Sequence, residues 1–244
     1  MTGVVSQGLR RGLRRLGVDV VRYTPQRFPD LRRNVAIRER GVDLVLDVGA
    51  SSGQWARLVR RGGYPGRIVS FEPLDEVFAQ LREAAQSDPS WEVRQAALSD
   101  EDGSTTINVS PTSWSSSLLP MARLHTESVP GSAYAGTQQV ETVRLDSLRG
   151  DVVRAGDRIL MKLDVQGFEL PVLRGGTEML SQVEALEVEL SHAQLYAGQA
   201  LLPEVVAYLA AAGFDLVGIE PVFADPRNGR TLQVDGFFLR NGAG

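Results

Sequence analysis

The chain has no cysteine and a single lysine among its 244 residues. Without thiols there are no disulfides, thiolate metal centres or cysteine nucleophiles, and the redox compartment stays open. Imidazole chemistry is confined to His125 and His192. No apolar run approaches the roughly 20 residues of a membrane-spanning helix, and Met1-Thr2-Gly3-Val4-Val5 lacks the apolar core of a secretory signal. A soluble cytoplasmic protein is therefore expected, its chemistry resting on carboxylates, hydroxyls, two histidines and Lys162. The other 25 of 26 basic residues are arginine, as suits a GC-rich bacterial genome.

What is present is unevenly spread. Ten arginines and three acids (Asp19, Asp30, Glu39) give residues 1–40 a charge of +7, leaving −11 for the rest of a chain whose net charge is −4. From Val4 to Leu16, Arg10, Arg11, Arg14 and Arg15 take one helical face, and Val5, Leu9, Leu13 and Leu16 approximate the other. This basic amphipathic segment suits packing on the domain, a phosphorylated substrate, an organellar transit peptide or peripheral contact with an anionic membrane. The acidic remainder argues against nucleic acid as a partner. Length and a 43% hydrophobic content fit one α/β domain over residues 41–244, preceded by a basic helical extension over 1–40.

The most informative motif is Asp47-Val48-Gly49-Ala50-Ser51-Ser52-Gly53, directly after the apolar run Leu44-Val45-Leu46. A dinucleotide fold would place three glycines under a pyrophosphate as G-x-G-x-x-G. Here the pattern is D-x-G-x-x-x-G, with Gln54 in place of the third glycine. A carboxylate at the strand end repels pyrophosphate and attracts an ammonium group. S-adenosylmethionine fits that polarity: its amino group and sulfonium are cationic, its chain would pass the backbone at Gly49, and its ribose diol suits Glu72 in Phe71-Glu72-Pro73.

Beyond residue 40, strand and helix patterns alternate, as in a parallel sheet covered on both faces. Strands are expected at 43–48, 67–72 and 91–97, with helices at 53–61 and 75–87. The rhythm then breaks into a short strand near Thr105–Val109 and a serine-rich, proline-punctuated stretch, an insert or lid over about 104–140. Trp114 with Ser115, Ser116 and Ser117 could form one wall of a polar-ligand pocket. The alternation resumes at Ile159, where Lys162 and Asp164 share a strand face near the carboxyl end. A mid-strand lysine needs a partner or a purpose. A helix to about Leu180 follows, then a strand over 185–190 that sets Glu187 and Glu189 on one face, with His192 just beyond it. A helix over 203–212, strands over 214–219 and 232–239, and a loop over 221–230 close the chain, the last two strands pairing antiparallel.

Together these motifs resemble the FkbM-type methyltransferases over about residues 43–240. The resemblance rests on the glycine loop, Phe71-Glu72-Pro73, Ala97-Leu98-Ser99-Asp100 with Gly103, Ser115-Ser116-Ser117-Leu118, Leu145-Asp146-Ser147-Leu148, Lys162-Leu163-Asp164-Val165-Gln166-Gly167-Phe168-Glu169 with Leu173 and Gly175-Gly176, and Glu187-Val188-Glu189. The family pattern often has asparagine where Ser51 stands and glutamate where Gln166 stands. The resemblance implies a Rossmann-like, seven-stranded class I methyltransferase sheet ending in an antiparallel hairpin. It also implies methyl transfer to a hydroxyl of a sugar, glycolipid or glycosylated natural product. Asp47, Gly49, Ala50, Gly53, Glu72, Ala97 and Asp164 are the expected S-adenosylmethionine contacts. Lys162, Asp164, Glu189 and His192 are the expected catalytic groups: neutral Lys162 or His192 would be the base, or magnesium (Mg2+) held by Asp164 and Glu189 would acidify the hydroxyl. Two alternatives stand beside this: an NAD-dependent oxidoreductase, and a non-catalytic member binding a glycan or partner. Homodimerisation stays open.

Overall fold

A computed structural model describes residues 7–242, with side chains from Arg11 onward. In chain order the elements are α1 (Gln7–Arg14), α2 (Pro29–Glu39), β1 (Leu44–Val48), α3 (Gln54–Arg61), β2 (Arg67–Phe71), α4 (Asp75–Ala85), β3 (Trp91–Arg94), β4 (Ala97–Ser99), β5 (Gly103–Val109), α5 (Arg123–Ser128), β6 (Gly136–Arg144), β7 (Ile159–Leu163), α6 (Glu169–Arg174), β8 (Val183–Ser191), α7 (Leu202–Ala211), β9 (Phe214–Ala224) and β10 (Thr231–Arg240). Seven strands form the main sheet in the order β3-β2-β1-β7-β8-β10-β9. All pairs are parallel except those made by β10, which lies antiparallel between β8 and β9. This is the class I methyltransferase sheet with its closing hairpin.

The central strands are apolar because both faces are covered. Leu44, Leu46 and Val48 of β1 and Ile159, Met161 and Leu163 of β7 point into one core layer. The intervening Val45 and Leu160 point into the other, which they share with Ala36 and Ile37 of α2. Residues 29–39 therefore belong to the core of the sheet domain. Each of these leucines is fully buried, worth about 1.5–3 kcal/mol apiece. The order in which strands are added reverses at β1, which has β2 on one side and β7 on the other. Parallel sheets open their ligand crevice at such a switch point, outside the carboxyl ends of the strands.

Several expectations are corrected. The strand expected over 91–97 divides at Gln95-Ala96: β3 stays in the main sheet while β4 leaves to pair with β6. The expected insert is a folded layer, a three-stranded sheet in the order β4-β6-β5. Ile107 and Val140 turn inward to join Leu74, Val77 and Ala97 in a small core, so this segment has its own apolar contacts. The helix expected to reach Leu180 ends at Arg174; its C-cap, Gly175, passes so close to the backbone of Ser99 that a Cβ there would lie 2.1 Å from its carbonyl oxygen. β9 continues to Ala224, so the loop before β10 is shorter than expected. Of the basic N-terminal helix, Gln7–Arg14 is helical, and Val4 and Val5 lie outside the described residues.

Candidate active site

A cleft with about 740 Å³ of empty space, partly open to solvent, lies at the carboxyl ends of β1, β2 and β7. Its walls combine Val48 and Gly49 after β1, Glu72, Pro73 and Leu74 after β2, Ala96, Ala97 and Leu98 at β4, and Asp164, Val165, Gln166 and Phe168 after β7. The folded insert supplies Ile107, Ser113, Trp114, Ser116, Ser117 and Leu118. Trp114 is 67% exposed at the mouth. The cleft is lined by apolar side chains with few convergent polar groups, as in ligand sites generally.

Glu72 is the polar group at the β2 end. Its two oxygens accept the backbone N–H groups of Ser51 and Leu74, each at 3.0 Å, which fixes the carboxylate and leaves a lone pair on each oxygen for a ligand diol. Ser51 reaches this bond from a left-handed backbone, φ 49°, a conformation rare outside glycine. Burial pushes the Glu72 carboxyl up to about 7, against the lowering effect of those two N–H donors.

Asp47 was expected to face the ligand but lies beneath the cleft floor and does not line it. It is buried and accepts the Ser70 hydroxyl at 3.0 Å, while Trp91 Nε1–H donates to Ser70 at 2.9 Å. Burial raises the Asp47 carboxyl to about 6. The glycine loop owes its composition to packing. A Cβ on Gly49 would stand 1.9 Å from the Asp164 carbonyl oxygen, and one on Gly53 2.8 Å from the Trp91 ring. The N–H groups of Gly49 and Ala50 both donate to Phe71 O, at 3.1 and 2.9 Å. Ala50 and Gly53 thus shape the loop from behind.

At the β7 end, Lys162 Nζ donates to Asp164 Oδ2 at 3.2 Å and lies 3.8 Å from Asp235 Oδ1. Burial lowers the Lys162 ammonium, but Asp164, Asp235, Glu187 and Glu189 together outweigh it and push it up. Ion pairing with Asp164 and Asp235 favours the charged ammonium, which argues against the expected neutral lysine base. Gln166, also in a left-handed backbone at φ 53°, spans the two carboxylates. Its Nε2 donates to Asp164 Oδ1 at 2.7 Å and to Glu189 Oε2 at 3.0 Å. Gln233 Nε2 also donates to Glu189, at 2.6 Å. Burial first, then Asp164 and Glu169, pushes the Glu189 carboxyl well above its ordinary range.

This arrangement does not fit magnesium shared by Asp164 and Glu189, because an amide nitrogen occupies the bridging position between them. Among the described residues no group of three or more His, Asp or Glu side chains is placed so that it could hold a metal ion.

His192 is exposed and does not line the cleft; its backbone N–H donates to Leu232 O at 2.8 Å. His125 is buried instead, between Ser132 Oγ at 3.3 Å and the Tyr196 hydroxyl at 3.2 Å. The Tyr196 hydroxyl donates to Gln166 Oε1 at 2.8 Å, linking the insert to the loop after β7. Ser116 and Ser117 line the cleft, and Ser115 is buried behind them, accepting the Thr112 hydroxyl at 3.2 Å. Gln166, Tyr196 and Gln233 went unrecognised as site residues in the sequence. Gln166 carried a signal, as the departure within an otherwise matching motif; Tyr196 and Gln233 carried none. Glu169 organises the same loop, accepting the N–H groups of Val165 and Gly167, each at 3.1 Å.

A seven-stranded sheet with an antiparallel hairpin, and a cleft at its switch point, are those of a class I methyltransferase. The profile of the methyltransferase FkbM domain matches residues 47–216, and the chain belongs to that family. It is 28% identical over 197 residues to the 2-O-methyltransferase NoeI of Sinorhizobium fredii, covering 78% of this chain and 79% of that one. It is 30% identical over 216 residues to the 31-O-demethyl-FK506 methyltransferase FkbM of Streptomyces tacrolimicus, covering 80% of each. Among solved structures, an S-adenosylmethionine-dependent methyltransferase from Mesorhizobium loti overlays with a TM-score of 0.48 at 10% identity, over 89% of this chain and all of the other.

Proposed function

We propose that this protein transfers a methyl group from S-adenosylmethionine to a hydroxyl of a sugar or a glycosylated natural product. The observation that carries this reading is the cleft itself: a fixed diol-accepting carboxylate at one end, an anchored acidic group at the other, and apolar walls between. The two relatives named as O-methyltransferases support a hydroxyl acceptor.

S-adenosylmethionine supplies a methyl group already activated by its sulfonium, so the chain's task is alignment, exclusion of water and proton removal. Glu72 accepts the ribose hydroxyls, and the apolar walls at Leu74, Ala97 and Leu98 cover the base. Asp164 is the anionic group nearest the reacting end, held by Lys162 on one oxygen and Gln166 on the other. It receives the proton of the acceptor hydroxyl as that oxygen takes up the methyl group. Lys162, protonated, fixes the charge and direction of Asp164 and does not itself take a proton. Glu189 holds Gln166 in place. Trp114 and Ser116–Ser117, on the insert, present an aromatic face and hydroxyls to the acceptor.

The test is titration calorimetry with S-adenosylhomocysteine beside NAD, on the wild type and Glu72→Ala. Binding of S-adenosylhomocysteine alone, weakened at least tenfold by the substitution, is expected. Preference for NAD, or indifference to Glu72, overturns the cofactor site. Release of S-adenosylhomocysteine with a panel of glycosides then tests the acceptor class.

A further inference from the structure

The segment preceding α2 is an exposed arm in which arginines and large apolar side chains alternate. Between Arg11 and Phe28 it carries Arg11, Arg14, Arg15, Arg22 and Arg27 against the single acid Asp19, a net +4. Leu16 is 78% and Tyr23 58% exposed, and Val18, Val20 and Val21 are also exposed. Apolar side chains normally find cover, and cations interleaved with them point to a surface that is both oily and anionic.

The fold fixes where this arm emerges. Arg33 of α2 contacts Glu187 in the middle of β8, and Arg40, just past its end, lies 3.9 Å from Glu184 near the start of β8. α2 therefore runs opposite to β8, and its first residue, Pro29, stands at the carboxyl edge of the sheet. The cleft opens at that same edge, with Trp114 exposed at its mouth.

We propose that the arm docks the enzyme on an anionic lipid surface and turns the cleft mouth toward it. On the reaction proposed above, this makes the acceptor a hydroxyl displayed at a membrane, as on a glycolipid. The acidic remainder of the chain, −11 outside residues 1–40, keeps the rest of the surface off the same membrane and so sets the orientation. A nucleic acid would reward the arginines but leave the exposed valines and leucine without a partner.

The experiment is co-sedimentation of the full chain with vesicles of phosphatidylcholine alone and with added phosphatidylglycerol. Two variants are compared with the wild type: Arg11, Arg15 and Arg22 all changed to Gln, and Leu16, Val18 and Val21 all changed to Ser. The wild type should bind the anionic vesicles preferentially. Each arginine removed should weaken partition roughly fivefold, so the first variant loses about a hundredfold. The second should also lose binding, while both keep wild-type affinity for S-adenosylhomocysteine, a readout that tests the cofactor site independently. Equal binding to both vesicle types overturns the proposal. So does a serine variant that binds like the wild type, or a short RNA that strips the protein from vesicles and binds the serine variant undiminished.

Discussion

Replacing Arg33 by methionine should destabilise the fold far more than an average surface change. The guanidinium holds Glu187 through two bonds, Nε to Oε2 at 2.8 Å and Nη2 to Oε1 at 2.9 Å, with both residues buried. Trp55 Nε1–H adds one bond at 3.0 Å, and the guanidinium also stacks on its ring at 4.9 Å. Removing one partner of such a pair leaves a buried charge and costs about 3–5 kcal/mol. For a chain of this size that lowers Tm by roughly 10 °C. The loss also has a definite pH dependence. Burial pushes the Glu187 carboxyl up, but Arg33 overcomes this and holds it below its ordinary value. A depressed carboxyl stabilises the fold above the unfolded-state pKa, and that contribution is lost as pH falls through the folded one. The Arg33→Met defect should therefore be largest at neutral pH and shrink on acidification. Thermal melts followed by circular dichroism at pH 7 and pH 4.5 measure both effects. Changing Arg33 and Glu187 together to methionine should recover most of the loss. A single variant melting within about 2 °C of wild type at pH 7, or a double variant no better than the single, refutes the reasoning.

Two further expectations concern the site. Because burial pushes the Glu72 carboxyl up to about 7 and the group must be ionised to accept a ribose diol, S-adenosylhomocysteine affinity should be full above that pH and fall by up to about tenfold per unit below it; calorimetry across pH 5.5–8.5 should show this slope, and Glu72→Gln should flatten it. Because Gln166 bridges Asp164 and Glu189, exhaustive chelation should leave the methyl-transfer rate unchanged; a loss restored by magnesium would show that the amide yields its place to a cation.

The parallel core was legible because its signal is local. Leu44-Val45-Leu46 and Ile159-Leu160-Met161 are apolar on both faces, and the residues that follow each strand mark the edge where a ligand sits. Glu72 and Asp164 stand out on the same grounds, as carboxylates at strand ends, and both line the cleft. The rest depends on partners distant in sequence. Lys162 pairs first with Asp164, which the sequence shows beside it, but also with Asp235, more than 70 residues away, and the role of Gln166 depends on Tyr196 and Glu189. The folding of the insert was hidden because its apolar positions, Ile107 and Val140, are sparse and lie on strands separated by the serine-rich stretch. Asp47 reads in the sequence as a strand-end carboxylate like Glu72, but it stands inside β1 opposite Ser70, two residues short of the level of Glu72, and is taken up by the Ser70 hydroxyl, which the Trp91 ring also holds.

The solitary lysine gives the molecule an internal reporter. Lys162 is 6% exposed and protonated between acidic neighbours, so amine-directed reagents should spare it while the sheet is intact. Its modification requires the side chains packed around it, Asp164 and Asp235 among them, to part from that face of the sheet. Acylation of this one side chain, read by mass spectrometry, therefore counts openings of the packing over the central sheet with no background from other lysines, and slowing of that count on adding a cofactor analogue would measure how far occupancy of the cleft holds that packing closed.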